Sequence, residues 1–397
     1  MYAGVLLFVL AGAQLQPTPP TTKVIPWGGS DFIQYYVTSR LLLNDQNPYD
    51  RSQSEELQKQ LGRENWLPTY STPWSLIPAL PTGVLSFEHA VQANLIINGL
   101  LLLLCFLAWV NLLLPKNKEL YLMLAPAVLL WVPTIYVFGM GQNSLWVLMG
   151  FTGWLWFQTR QAPVRAGACL ALLVIKPHTG LLLGLFAGCY LLRQRQWRAI
   201  LAALVTLAIT ALIPCLFHIK VWSEYLESLR TVASTSQYYS ATLDGWIRLH
   251  ISNDVRWLSF AWWGLGMLIA AVLGWRCGGK SQKETSPKDL VRWSTMLCIA
   301  TIAMVPHAFT YDFVILLPGY LLAVSMALLR TDKRWPIVLI IWIGMIAWLM
   351  YGKSNQWQES AYCFIPWAGL MSTCWVLFWS PLHRAVGSFN ARATSYK

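Results

Sequence analysis

The sequence holds 397 residues, 56% hydrophobic and 12% charged, with 29 Lys and Arg against 17 Asp and Glu. A soluble domain carries about 25% charged residues, and apolar runs of about 18 or more residues recur along this chain, each long enough to span a bilayer. A soluble globular domain is therefore excluded. The formal charge of +12 reads as the basic loops of a polytopic membrane protein, not as a nucleic-acid surface.

The first apolar run, 1–15, has no basic residue before it and ends in Gln-Leu-Gln-Pro instead of a small-residue cleavage site. This predicts a short first helix and not a signal peptide. Residues 16–89 form a loop too long for a simple connection, and such loops are usually functional. Within it, 31–43 and 52–61 read as amphipathic helices lying at the membrane interface. Asp31 stands at the start of the first of these, where Asp is a favoured N-cap. At 100° per residue Tyr35 shares its face, while Arg40 is turned by about 180°. Arg40 is then open to pairing with Asp45 or a lipid phosphate, or to a substrate role.

Apolar segments follow at about 90–114, 119–138 and 143–158. Between the last two stands GMGQNS (139–144), in which Gln142 is a candidate sugar contact and Asn143 a candidate helix cap. The stretch 164–192 carries VIKPHTG in its middle. Pro177 breaks a helix and Lys176 is costly in hydrocarbon, so it is either one kinked helix or two half-helices in a hairpin. Further segments are expected at 199–217, 257–276, 290–305, 309–329, 335–351 and 362–380. They are separated by a second long loop, 218–256, with a helix at 219–230, and by an outer turn VPHAFTYD (305–312).

Loop charges choose the hairpin. With its apex outward, one side collects 18 of the 29 Lys and Arg and only four acids, Glu119, Glu284, Asp289 and Asp332. A single kinked helix would place the first two basic loops opposite the rest, against the positive-inside rule. The hairpin implies about twelve membrane segments, with both termini on the cytoplasmic side. It also leaves Lys176 and His178 near mid-depth, since 11 residues from Arg165 rise about 16 Å at 1.5 Å per residue. Irregular backbone there must be buried in protein or line a wet cavity.

One topology thus gathers Asp31, Gln142, Lys176, His178, His307 and Asp312 at the outer face. A carboxylate, a lysine and a histidine at a membrane cavity suit a lipid-linked phosphate leaving group. Cations neutralise charge developing on phosphate, and one carboxylate takes the proton of an attacking hydroxyl. Phosphate leaves without an acid, so a second carboxylate is unnecessary, and single displacement inverts the sugar carbon. His178 also reads as a polar turn residue, and Asp312 as a cap or as the group orienting His307. Tyr238, Tyr239 and Trp246 stack on a sugar or sit in the interfacial aromatic belt.

The blocks SDFIQYYVTSRLLLNDQNPYD, GQNSLW, VIKPHTGLLLGL, RQRQWR and VPHAFTYDFVILLP, in that order, resemble those of the family-87 glycosyltransferases of GT-C type. The resemblance runs from about 27 to 320. It implies an all-α membrane bundle with interfacial helices on the outer loops, and a sugar, commonly mannose, taken from a polyprenyl-phosphate donor. It maps the base onto Asp31, the lysine of the KP break onto Lys176 and the late histidine onto His307. Tyr35, Arg40, Gln142, Asn143, His178 and Asp312 complete the expected substrate-binding set.

The expectation is therefore a single integral domain over 1–397, with outer loops 16–89 and 218–256 forming the catalytic face and 330–397 matching no block. The protein is a monomer in the cell's inner (plasma) membrane with its site facing the periplasm or exterior. It binds the donor, a glycolipid or glycan acceptor and membrane lipids, uses no metal or cofactor, and binds no nucleic acid. Two other readings stand beside it. One is a secondary transporter with a broken-helix substrate site at 175–179, although no paired inverted break occurs in the second half. The other is a non-catalytic lipid-glycan scaffold.

Overall fold

The computed structural model describes residues 25–114, 120–129, 131–232, 240–251, 256–279, 287–329, 332–355 and 358–379. The expected segment at 1–15, both termini, Tyr238 and Tyr239 lie outside the described residues. Every regular element among the described residues is helical. The first half holds α1 (Phe32–Leu43), α2 (Arg51–Gln60), α3 (Phe87–Leu113), α4 (Leu120–Leu129), α5 (Val132–Met140), α6 (Ser144–Gln158), α7 (Pro163–Cys169) and α8 (Pro177–Arg193). The second holds α9 (Trp197–Leu212), α10 (Val221–Val232), α11 (Leu243–His250), α12 (Arg256–Gly279), α13 (Pro287–Met304), α14 (Leu317–Leu328), α15 (Trp335–Ser354) and α16 (Ile365–Trp379).

Among the described residues, six helical stretches are long and apolar enough to cross a membrane: Phe87–Leu113, Trp197–Leu216, Trp257–Gly279, Thr310–Leu328, Trp335–Ser354 and Glu359–Leu377. A seventh arises if the pair Tyr121–Leu129 and Val132–Met140, bent by 56°, is one span. Among the described residues such spans do not reach the expected count of about twelve. Several expected segments are shorter helices, as α6 with 15 residues is, and α13 opens on Lys288, Asp289 and Arg292.

The chain reverses at Lys176. A Cβ on Gly180 would fall 1.9 Å from Leu173 O, although seven residues of straight helix rise about 10.5 Å. Pro163, where the first arm starts, lines the same cavity as Tyr190 and Gln194, where the second ends. Pro177 does not break a helix here but begins one, at the first helical position of α8, where its missing N–H costs nothing. The first arm climbs further than an α-helix would. Its upper part, Leu170–Ile175, is a 3₁₀-helix with about 2.0 Å of rise per residue, which makes the arm longer than α-helical spacing gives.

The molecule has two chemically distinct ends. At one, the end of α6 meets the starts of α7 and α9, and Gln194 Nε2 donates to Gly278 O of α12 at 2.9 Å. At the other, the turns before α1, between α5 and α6, at the hairpin apex and at 305–312 come together, joined by the start of α11. This is the grouping that the loop charges called for.

One expected interfacial helix is not interfacial. In α1, nine of twelve residues are buried, Phe32, Ile33, Tyr36, Val37 and Leu42 almost completely. Its apolar residues point in all directions, which marks a helix enclosed by protein. By contrast α10 keeps Leu226 and Leu229 exposed.

Candidate active site

Residues 139–144 build the centre of the site. Helix α5 ends in a Schellman turn, with Gly141 N donating to Phe138 O at 3.2 Å and Gln142 N to Val137 O at 3.0 Å. Gly141 occupies the left-handed region at φ +71°, where a Cβ is costly, and here a Cβ would also lie 2.0 Å from Gly28 O. The remaining C-terminal carbonyls of α5 take donors from the other chain segment: Gly28 N to Gly139 O at 3.0 Å and Asp31 N to Met140 O at 2.9 Å. Two backbone bonds therefore hold Asp31 against this turn, and the orphan carbonyls of a helix end are satisfied by them.

The turn then directs two side chains to opposite tasks. Gln142 Nε2 donates to Asp31 Oδ2 at 2.7 Å, and the Tyr35 hydroxyl donates to Gln142 Oε1 at 3.2 Å. Tyr35 thereby fixes the amide that holds the carboxylate. Two residues on, the Ser144 hydroxyl donates to Asp312 Oδ1 at 2.6 Å and accepts from Lys176 Nζ at 3.1 Å. Lys176 Nζ also donates to Asp312 Oδ1 at 2.8 Å and sits 4.4 Å from the Tyr311 ring centre. The other Asp312 oxygen accepts Phe309 N at 3.1 Å, which caps the 3₁₀-helix Thr310–Leu316.

The two carboxylates thus differ in kind. Asp312 is buried with both oxygens engaged, and its side chain and that of Lys176 are 1% and 8% exposed. Asp31 is partly exposed, and among the described residues only Gln142 donates to its carboxylate. Burial pushes the Asp31 carboxyl above the ordinary aspartate value, opposed by the Gln142 hydrogen bond and by the charges of Lys176 and Arg63. Asp31 occupies the N-cap position of α1 but makes no side-chain capping bond. Asn143 stands likewise at the N-cap of α6 without one; its Nδ2 reaches Ser75 O at 3.5 Å and its Oδ1 is buried with no partner.

His307 and His178 face each other with ring centres 5.8 Å apart. The turn carrying His307 is fastened to the second outer loop by Ala241 N to Ala308 O at 2.7 Å and by the Thr242 hydroxyl to Pro306 O at 3.1 Å. Burial, aided by the charges of Lys176 and Arg248, lowers His307 to about 4. The expected imidazolium is therefore a neutral ring in the free protein near neutral pH.

Arg40 does not join these contacts. It is exposed, and Nη1 donates to the Tyr36 hydroxyl at 2.9 Å, which in turn donates to Leu85 O at 2.8 Å. Nor does Asp45 receive Arg40; its carboxylate is 2.8 Å from His218 Nδ1. Trp246 packs on His250 with ring centres 5.1 Å apart. Sequence reasoning missed Arg63. Its Nη1 donates to Ser30 O at 2.6 Å and its charge acts on Asp31. The one available signal was a lone arginine following the glycine that ends α2.

A helical bundle with several stretches able to cross a membrane thus gathers a carboxylate, an ammonium and two imidazoles at one end. The family model described as Glycosyltransferase family 87 matches residues 69–306, more than half of the chain. The chain belongs to glycosyltransferase family 87 and is a sugar-transferring membrane enzyme. Gln142, Asn143, Lys176 and His178 fall inside the matched span, and Asp31, Tyr35, Arg40, His307 and Asp312 outside it. Comparison with curated proteins and with solved structures finds no match.

Proposed function

We propose that this enzyme moves one sugar, mannose, from a polyprenyl-phosphate donor to a hydroxyl of a lipid-linked or glycan acceptor on the non-cytoplasmic face, with inversion. The acceptor oxygen attacks the anomeric carbon while the bond from that carbon to the phosphate oxygen breaks. The bonding pair leaves with the phosphate, and Asp31 takes the hydroxyl proton. The observation that carries this reading is the contrast between the two carboxylates. Asp312 has its oxygens engaged by Lys176, Ser144 and Phe309 N, whereas Asp31 is held by Gln142 and keeps one oxygen open.

Lys176 spends two of its three N–H donors on Asp312 and Ser144, which leaves one for a phosphate oxygen. His307 stands across from His178 as a neutral donor and becomes a cation when phosphate arrives, since an adjacent anion favours the charged ring. A phosphate so held is stabilised most when its leaving charge develops. Tyr35 acts through Gln142 as a positioning residue.

Asp31→Asn retains size and removes the base. Purified in nanodiscs with polyprenyl-phosphate mannose and a membrane lipid extract as acceptor source, it should lose about 10²–10⁴-fold in transfer with melting temperature and donor binding nearly unchanged. Near-parental turnover would remove Asp31 from the reaction.

A further inference from the structure

The end of the bundle opposite Asp31 is hollow. A cavity of about 540 Å³ opens there among Gln158, Tyr190, Arg195, Gln196, Trp197 and Arg198. It is remote from the reaction. Gln158 lies 14 residues along α6 from Ser144, about 21 Å at 1.5 Å per residue.

Two features of the cavity call for a ligand of one chemistry. Arg195 and Arg198 have no ion pair among the described residues and are exposed. They supply charge for a phosphate, which arginine recognises through paired N–H donors. The second feature is independent of charge. Gln158 is 9% exposed and its side chain hydrogen-bonds Tyr190, yet its buried Oε1 accepts from no group among the described residues, and neither does the buried Oε1 of Gln196. A buried acceptor without a donor costs free energy, and both of these line the cavity. A hydroxylated group would supply the missing donors.

The surface leading away from the cavity is apolar. Trp197 stands at its rim 63% exposed, and Leu201, Leu204, Ile209 and Leu212 continue along the same helix, exposed by 52–63%. These positions recur at helical spacing on one outward face of α9. A charged, hydroxyl-seeking cavity continuous with an apolar track fits an amphiphile.

We propose that this cavity binds the headgroup of an anionic phospholipid whose phosphodiester carries free hydroxyls, a phosphatidylglycerol or a phosphatidylinositol, with acyl chains lying on α9. Arg195 and Arg198 hold the phosphate, and Gln158 and Gln196 accept from the headgroup hydroxyls. Basic pockets between membrane helices bind lipid headgroups in this way. The lipid joins the starts of α7 and α9 to the ends of α6 and α8, and so fixes the base of the hairpin that carries Lys176.

The test is thermal unfolding of the purified full-length protein in detergent, titrated with dioctanoyl-phosphatidylglycerol, dioctanoyl-phosphatidylcholine, dioctanoyl-phosphatidic acid and glycerol 3-phosphate. Phosphatidylglycerol should raise the melting temperature saturably. The choline lipid and glycerol 3-phosphate should not do so at equal concentration. The double variant Arg195→Gln, Arg198→Gln should need about tenfold or more lipid for half-saturation. Gln158→Leu should erase the preference for phosphatidylglycerol over phosphatidic acid, which offers no headgroup hydroxyl. Equal response to the choline lipid, or an unchanged titration in the double arginine variant, overturns the site. An equal response to glycerol 3-phosphate overturns the lipid assignment in favour of a free phosphate ester.

Discussion

Breaking the Lys176–Asp312 pair should destabilise the protein far more than removing both charges together. The two groups meet at 2.8 Å with side chains 8% and 1% exposed. At that distance their attraction is about 6 kcal/mol for an effective dielectric of about 20, much of it offset by desolvation. Removing one partner of a buried pair costs about 3–5 kcal/mol, because the other charge stays behind unpaired. Asp312→Asn should be the worse single change. It leaves the ammonium with neutral partners alone, the amide oxygen, the Ser144 hydroxyl and the Tyr311 ring, whereas Lys176→Met leaves the carboxylate with Ser144 and Phe309 N as donors. The double variant removes the conflict, so its loss should be well below the sum of the two. SDS-titration unfolding followed by tryptophan fluorescence gives the three free energies of the cycle. Additivity within about 0.5 kcal/mol would refute the pair as an energetic unit. Transfer should not return with stability, and normal turnover in the double variant would end the phosphate role of Lys176.

The raised Asp31 carboxyl places the acid limb of kcat/KM above the ordinary aspartate range near 3.9. The rate should climb as pH rises and Asp31 loses its proton. Gln142→Leu removes a bond that lowers Asp31 and should move the limb further up; an unmoved limb contradicts the assignment. His307, lowered to about 4, is neutral near pH 6, so binding of polyprenyl-phosphate mannose without acceptor should take up protons. Calorimetry at pH 6 in two buffers of different ionisation enthalpy measures this, and identical uptake in His307→Gln would assign it elsewhere. Gly141→Ala must hold φ +71° and drive a Cβ against Gly28 O and Phe32. The left-handed backbone alone costs about 1–2 kcal/mol, and the displaced Asp31 should lower turnover as well. Gly99→Ala, with nothing within 4 Å of its Cβ, is the control and should leave melting temperature and rate as they are.

Much of the architecture was legible because its signals are local. The segment 90–114 appears as Phe87–Leu113 and 335–351 as Trp335–Ser354, since both are set by apolar length alone. The hairpin was legible from the charges of its flanking loops. What could not be read was pairing between distant residues. Lys176 and Asp312 both fall at the outer end, but sequence gives neither depth nor direction around the bundle; the cap expected of Asp312 is present on Phe309 N, while its bond to Lys176 could not be read. The same blindness affected α1. A helix of mixed residues after an apolar run looks interfacial, and only the surrounding loop 44–85 and α3 reveal that it is enclosed. Gln142 was legible from its place in GMGQNS between two apolar segments, whereas its bond to Asp31 depends on the turn at Gly141, which holds the residue that follows it.

The spacing of the site along the chain has a consequence for how the protein is made. Asp31 waits 111 residues for Gln142, and Lys176 waits 136 for Asp312. At a synthesis rate of about 5–20 residues per second, the second interval is about 7–27 s. Throughout it, the ammonium at the hairpin tip lacks the Asp312 carboxylate that it contacts in the finished protein. The Lys176–Asp312 pair can therefore close only after the 305–312 turn has been made. The ribosome must travel past residue 312 before Asp31, the ammonium and the imidazoles can share one end of the bundle, so the complete arrangement arises only late in synthesis.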